Sequence, residues 1–382
     1  GSRMPVYLVM TALATVLAFF ACRVRAGMPA EPSAVQLVIG RDTRGRALRF
    51  WALAIGSALP YVLVAGFRYY VGTDYGFTYE PLIRRMLNDV PFDEMIVEPG
   101  YWALCRLLSS LGLGITWLML ISAIFITLFF WLAFYEQSDI PWLSVFLFAG
   151  TRHFFISMNV VRQYMAMALV LFGFRFIREK CFWKYALCVG VAMLFHTSAL
   201  FLLPLYFLRY LKIHPLVGGG LLALTYVLKA PLMELLRFLV GKTSYAWYLT
   251  SVWADVPPTY PQKLLALLPI VLIASVYYFL NGNRDKPMFR VGYACLLGVV
   301  FFALNRNIIP LTDRLSHMLE MTQLLFVPML LHGEKRKWLR VLLGVLMIGS
   351  ILWLTYFEIF QNGYHEVQLY RCVFFPEIAF QW

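Results

Sequence analysis

Eleven apolar runs, each near the length that crosses a bilayer as a helix, recur along this chain and dictate what it can fold into. They fall near 5–22, 50–66, 113–134, 141–157, 161–177, 184–208, 216–228, 264–280, 288–304, 315–331 and 339–357. A spanning helix needs about 20 mostly apolar residues, and fewer where protein shelters it or the bilayer thins. Backbone inside hydrocarbon must satisfy its own hydrogen bonds, which restricts spanning structures to helices and closed barrels. Runs of this length predict an all-α polytopic membrane protein of about 11–12 transmembrane segments.

Composition supports lipid as the solvent. Hydrophobic residues make up 61% of the chain and charged residues 14%, against about 25% charged in an average soluble domain. No soluble core of this size hides so much apolar surface. The net charge of +13 would suggest nucleic acid in a soluble protein. Here the Lys and Arg sit in short links between apolar runs, so they mark topology, and no nucleic-acid partner is expected. The six cysteines, Cys22, Cys105, Cys181, Cys188, Cys295 and Cys372, form no CxxC pair and read as buried thiols. Gly1–Arg3 precede Met4 and read as a tag remnant, leaving 4–382 as a single transmembrane domain.

Basic residues concentrate on the cytoplasmic side of membrane proteins. With link 23–49 placed inside, with its six arginines, alternation holds until the segment 184–208. That segment is long, and His196 lies near its middle. Read as one span, it would put the basic links 284–290 and 335–340 outside. Read as two half-length helices meeting at His196, it puts eighteen Lys and Arg and seven acids inside, against thirteen of each outside. The broken reading is therefore expected, with both chain ends facing outward. Large outward regions follow at 67–112 and 229–263, with an outward tail at 358–382. Glu80–Met86 reads as a short amphipathic helix. Leu232, Leu235, Leu236 and Leu239 recur at helical spacing on another, both lying along the membrane surface.

Five short elements then stand out. Arg68-Tyr69-Tyr70-Val71-Gly72-Thr73-Asp74-Tyr75 opens the first outer loop, and Glu98-Pro99-Gly100-Tyr101 follows. Asn159-Val160-Val161-Arg162-Gln163-Tyr164 starts a helix. Phe195-His196-Thr197-Ser198-Ala199 runs toward Pro204-Leu205-Tyr206, and Asp313-Arg314 opens a late helix. In type, order and topological place these elements resemble the EpsG/Wzy family of bacterial surface-polysaccharide polymerases. The resemblance spans about 68–320. It implies a GT-C-like glycosyltransferase bundle in the bacterial inner membrane, acting on its outer, periplasmic face. Such a protein moves a growing glycan from undecaprenyl diphosphate to the non-reducing end of a new carrier-linked repeat unit. Its expected partners are that carrier-linked oligosaccharide, the bilayer and a chain-length-regulating co-polymerase.

A departing diphosphate needs its charge stabilised by a metal or by fixed cations. No D-x-D or H-E-x-x-H occurs, so arginines are expected in that role, with no metal and no cofactor. Arginine pairs bidentately with phosphate and stays ionised. Arg162 and Arg314 are the foremost candidates because each opens a helix, whose N-terminus also favours anions. Arg68, Arg152 and Arg306 share the outward half. An interfacial arginine reaching for headgroups is the plain alternative for each. The acceptor hydroxyl needs a base or hydrogen-bond acceptor, and Asp74, Glu98, His196 and Asp313 are candidates. Asp74 also suits a turn, and His196 interrupts an apolar run where polar groups are costly unless used.

Asp313, His317 and Glu320 share one face of a helix, as substrate contacts or as an internal ion pair, the latter preferred for Glu320. Asn159 is placed to orient Arg162, and Gln163 to bind sugar or cap. Among Tyr245, Trp247, Tyr248, Trp253 and Tyr260, most read as a membrane-interface belt. Trp253, with Tyr75, is the sugar-stacking candidate. A glycan-to-lipid ligase shares this chemistry and stays open. A lipid-linked-glycan flippase would want a polar path through both faces, often with internal repeats, and no repeat is found. A membrane acyltransferase with an intramembrane histidine is a further alternative.

Overall fold

The computed structural model describes residues 6–26, 41–89, 97–243, 246–250, 257, 259–306 and 312–380. These divide into two compact units. The first comprises Gly1–Phe172, Gly190–Ala199 and Tyr356–Trp382, and the second Gly173–Val189 and Leu200–Thr355.

Unit 1 is built on α1 (Val6–Ala26) and α2 (Arg41–Gly66), followed by α3 (Glu80–Leu87), α4 (Pro99–Ser110), α5 (Ile115–Gln137), α6 (Pro141–Gly150), α7 (His153–Ser157) and the start of α8 (Val161–Arg178). Along α1, Tyr7, Met10, Ala14, Ala18 and Ala21 form the buried stripe. Small residues let helix backbones approach closely in a membrane, where no hydrophobic drive separates helix from lipid. The interior is aromatic. Tyr61 meets Trp131 and Phe154 with ring centroids 5.0 Å apart in both cases, in edge-on geometry that suits the ring quadrupoles. Ser57 satisfies the Trp131 indole N–H at 2.8 Å, so that polar tip is not buried unpaired.

The tail closes on this core. Helix α17 (Lys337–Thr355) runs into a π-helical turn, Tyr356–Gln361, and the chain ends in the antiparallel pair β1 (Tyr370–Cys372) and β2 (Phe375–Phe380). The backbone at Arg68 pairs with β1, through Tyr69 N–H to Arg371 O at 3.0 Å and Val373 N–H to Phe67 O at 2.9 Å. Tyr7 donates its hydroxyl to Val367 O at 2.6 Å.

Unit 2 holds the remaining helices. The run 184–208 is divided, as the basic links require: α9 (Phe182–Met193) ends before His196, a 3-10 turn covers Thr197–Leu202, and α10 (Leu205–Leu208) follows. Helix α11 (Pro215–Val227) meets α12 (Lys229–Val240) at a bend of 77°. No residue of α12 is buried. Helices α13 (Pro261–Tyr278) and α14 (Pro287–Leu304) pack together, α15 (Thr312–Glu320) lies on α14, and α17 lies on α13, with α16 (Gln323–Gly333) against α14.

Among the described residues, six helices are long and apolar enough to cross a membrane: α1, Arg44–Gly66 of α2, α5, α13, α14 and α17 with its π turn. The count is seven if α11 and α12 form one span. Other expected segments are short or interrupted. Run 141–157 breaks at Thr151–Arg152, where Arg152 has φ +71°, and run 315–331 breaks between α15 and α16.

Candidate functional site

The first outer loop is locked to the start of α8. Gly72 has φ +90°, and a Cβ there would stand 3.0 Å from Met158 O, so the turn requires glycine. Asp74 N–H then donates to Asn159 Oδ1 at 2.7 Å. Tyr75 opens a π-helical turn, Tyr75–Tyr79, and is buried under Arg68. Arg68 itself is 2% exposed. Its guanidinium donates to Ala65 O and to Met158 O, the latter at 2.8 Å, and lies 2.9 Å from Met119 Sδ. The structure therefore places Arg68 and Tyr75 inside the unit, where they hold the loop's base.

The second element meets the helix break. Gly100 N–H donates to Leu194 O at 2.8 Å. A Cβ on Gly100 would stand 2.7 Å from that oxygen and 2.8 Å from Leu194 Cβ, so only glycine allows α4 to reach the break. This contact delivers Glu98. Its Oε2 pairs with Arg162, and its Oε1 accepts from Thr197 N–H at 3.3 Å. His196, beside it, has Nδ1 2.5 Å from Ser198 Oγ and accepts from Ser198 N–H at 3.4 Å, in the manner of a cap on the 3-10 turn. Tyr79 and Tyr101, with ring centroids 5.9 Å apart, lie within electrostatic reach of Arg162. Glu98, Arg162, His196 and Asn159 thus share one region of unit 1, with Arg162 in the first turn of α8, half-buried. Gln163, next to it, is buried.

His365 joins this region from the tail. Asn159 Oδ1 is committed to a backbone N–H, so its Nδ2 donates to His365 Nδ1 at 2.9 Å, and the His365 proton belongs on Nε2. His365 has φ +67° and Glu366 φ +54°, and Gly72 N–H donates to Glu366 O at 3.3 Å. Non-glycine residues hold such backbone only where the surroundings impose it. Arg152, 1% exposed, pairs with Glu358 at 2.7 Å. His365 and Glu358 were not reached from sequence. Only the polarity of Glu358 in an otherwise apolar stretch marks it.

Unit 2 carries a separate polar face. Arg306 pairs with Asp313 at 3.0 Å and lies 4.2 Å over the Tyr260 ring. Desolvation acts to raise the Asp313 carboxyl, but Arg306, Lys263 and His317 outweigh it and hold it below the usual carboxylate range. Lys263, buried in the first turn of α13, donates to Glu320 and Ser316, each at 3.0 Å. His317 Nδ1 lies 3.5 Å from the same Glu320 oxygen. Glu320 is therefore an internal ion-pair residue, as preferred for it. Lys263 was missed because a lysine in the first turn of a span reads as a topology marker. Arg314 is half-buried in the first turn of α15. Trp253 and Tyr245 lie outside the described residues. Among the described residues, no three His, Cys, Asp or Glu side chains gather as metal ligands.

No curated protein and no solved structure matches this chain. The sequence profile of the EpsG family matches residues 51–372, most of the chain, and takes in all five elements together with His365. The chain belongs to the EpsG family, which holds Wzy-type polysaccharide polymerases.

Proposed function

We propose that this protein polymerises a bacterial surface polysaccharide as a GT-C-like glycosyltransferase on the outer face of the inner membrane. The growing glycan leaves undecaprenyl diphosphate for the non-reducing end of a new carrier-linked repeat unit, without a metal. The observation that carries this reading is the Glu98–Arg162 pair, held where α4 meets the broken segment. A guanidinium has two edges for anions. Glu98 occupies and orients one, which leaves a fixed cation at a helix N-terminus to receive phosphate oxygens. Both oxygens of Glu98 are engaged, so we assign it as the anchor of Arg162 and not as the base. Arg314 supplies the same group in the first turn of α15. A co-polymerase that sets chain length belongs to this reading as a partner.

The test is reconstitution with the carrier-linked repeat unit, chelator present and nucleotide sugar absent. A ladder of rising glycan length is expected, and Arg162→Ala and Arg314→Ala should each abolish it in folded protein. An intact repeat unit would refute the polymerase reading. Transfer to an added lipid acceptor would identify a ligase, and movement of the intact lipid across vesicles a flippase.

A further inference from the structure

A recess of about 940 Å³ opens in unit 1 between α2 and α5, beside Arg25 at the end of α1. Ligand pockets run from about 300 to 1,000 Å³, so this one is large. Its walls are apolar and aromatic, with Trp51, Ile55, Ala58, Leu128 and Trp131 among them. Along α2 it extends from Phe50 to Val62. Twelve steps of 1.5 Å rise give roughly 18 Å, close to the depth of one leaflet of a hydrocarbon core about 30 Å thick.

One end of the recess is charged. Arg25 lines it, donating to Tyr135 O and lying 5.6 Å over the Phe50 ring. Its partners are that carbonyl and that aromatic face, and among the described residues no carboxylate lies within ion-pair distance of it. Arg23 lies two residues earlier on α1, over the Phe19 ring. Arg44, Arg46 and Arg49 lie in the first turns of α2, whose N-terminus adds positive potential. Of these arginines Arg25 lines the recess itself, as does one carboxylate among the described residues, Glu136.

We infer that this recess binds an anionic phospholipid, with its phosphate at Arg25 and its acyl chains laid along α2 and α5. Basic pockets between membrane helices recognise lipid headgroups in this way. The length of the recess fits chains confined to one leaflet. The Trp51 and Trp131 rings supply the flat apolar walls that hold them. Arg25 gives the selectivity between headgroups, and the α2–α5 walls give the affinity common to all of them. The assignment is independent of the polymerase reading.

Native mass spectrometry of the delipidated protein, titrated with phosphatidylglycerol or phosphatidylcholine, tests it. One tightly held phosphatidylglycerol is expected, at about tenfold higher affinity than phosphatidylcholine. Arg25→Gln should bring the two to parity, and Ala58→Trp, which sets an indole into the middle of the recess, should weaken both while gel filtration stays unchanged. If Ala58→Trp proves unstable, photolabelling of the wild-type protein by a diazirine phosphatidylglycerol replaces it, with labelled peptides from 50–62 and 124–132 expected. Equal affinities in wild-type protein, labelling elsewhere, or displacement of phosphatidylglycerol by an isoprenoid phosphate at equal concentration would overturn the assignment.

Discussion

Gly100→Ala is the most informative single change near the Glu98 region. The added methyl would stand 2.7 Å from Leu194 O and 2.8 Å from Leu194 Cβ. Neither atom is the far end of a flexible side chain, so α4 or the 194–197 backbone must shift. Overpacking of this kind costs about 1–3 kcal/mol. The Gly100–Leu194 hydrogen bond adds about 1 kcal/mol if it breaks. A loss of about 2–4 kcal/mol lowers the melting temperature by roughly 4–16 °C in a unit of this size. The functional loss should exceed what that stability change predicts. A shift of even 1 Å carries Glu98 off Thr197 N–H and turns Arg162 away from its bound geometry, and misplacement of that size costs about 100-fold in rate. The assay is glycan ladder formation at a temperature where variant and wild type are both folded. Gly190→Ala is the control, because nothing lies within 4 Å of its Cβ and alanine favours the helix interior. It should leave the rate unchanged. A Gly100→Ala rate within twofold of wild type would refute the role assigned to the α4 approach.

Three further changes separate the roles of neighbouring groups. Arg162→Lys should keep the charge but lose the fork shared between Glu98 and phosphate, so elongation should stay below one tenth of wild type, measured on the same ladder. Glu358→Gln removes the carboxylate that pairs with the buried Arg152, and breaking a buried pair costs about 3–5 kcal/mol. Arg152→Met with Glu358→Leu should recover most of the lost melting temperature, and failure to recover would show that the pair acts outside packing. In His365→Gly the side chain goes but the left-handed backbone is kept. The lost hydrogen bond, about 1 kcal/mol, is offset by relief at a positive φ, of about 1 kcal/mol, so stability should hold while the rate falls about tenfold. An unchanged rate would remove His365 from the site.

Local pattern carried part of this structure in the sequence, and distant pairing carried the rest. Apolar runs located the long helices because burial in lipid imposes a length and a composition that no neighbour alters. The break at His196 was legible for a different reason: the basic links at 284–290 and 335–340 fall on one side only if 184–208 reverses. The break at Arg152 had no such signal. Run 141–157 is apolar enough for one helix, and what turns it is an arginine paired with Glu358, some two hundred residues away. The motifs behaved likewise. Glu98, Arg162 and His196 were legible as separate polar residues at helix ends, and the structure brings them together through Gly100. Arg68 had the residue type and place of a phosphate ligand, yet the strand formed with the tail turns its guanidinium onto backbone carbonyls. A residue's chemistry is written locally, but whether it faces substrate or core is set by the segment that packs over it. Here that segment is the tail, whose strand and left-handed turn close on the loop from Arg68 to Gly72 and whose Glu358 pairs with Arg152 at the α6–α7 break. Variation in the tail should therefore alter activity without changing any of the five elements.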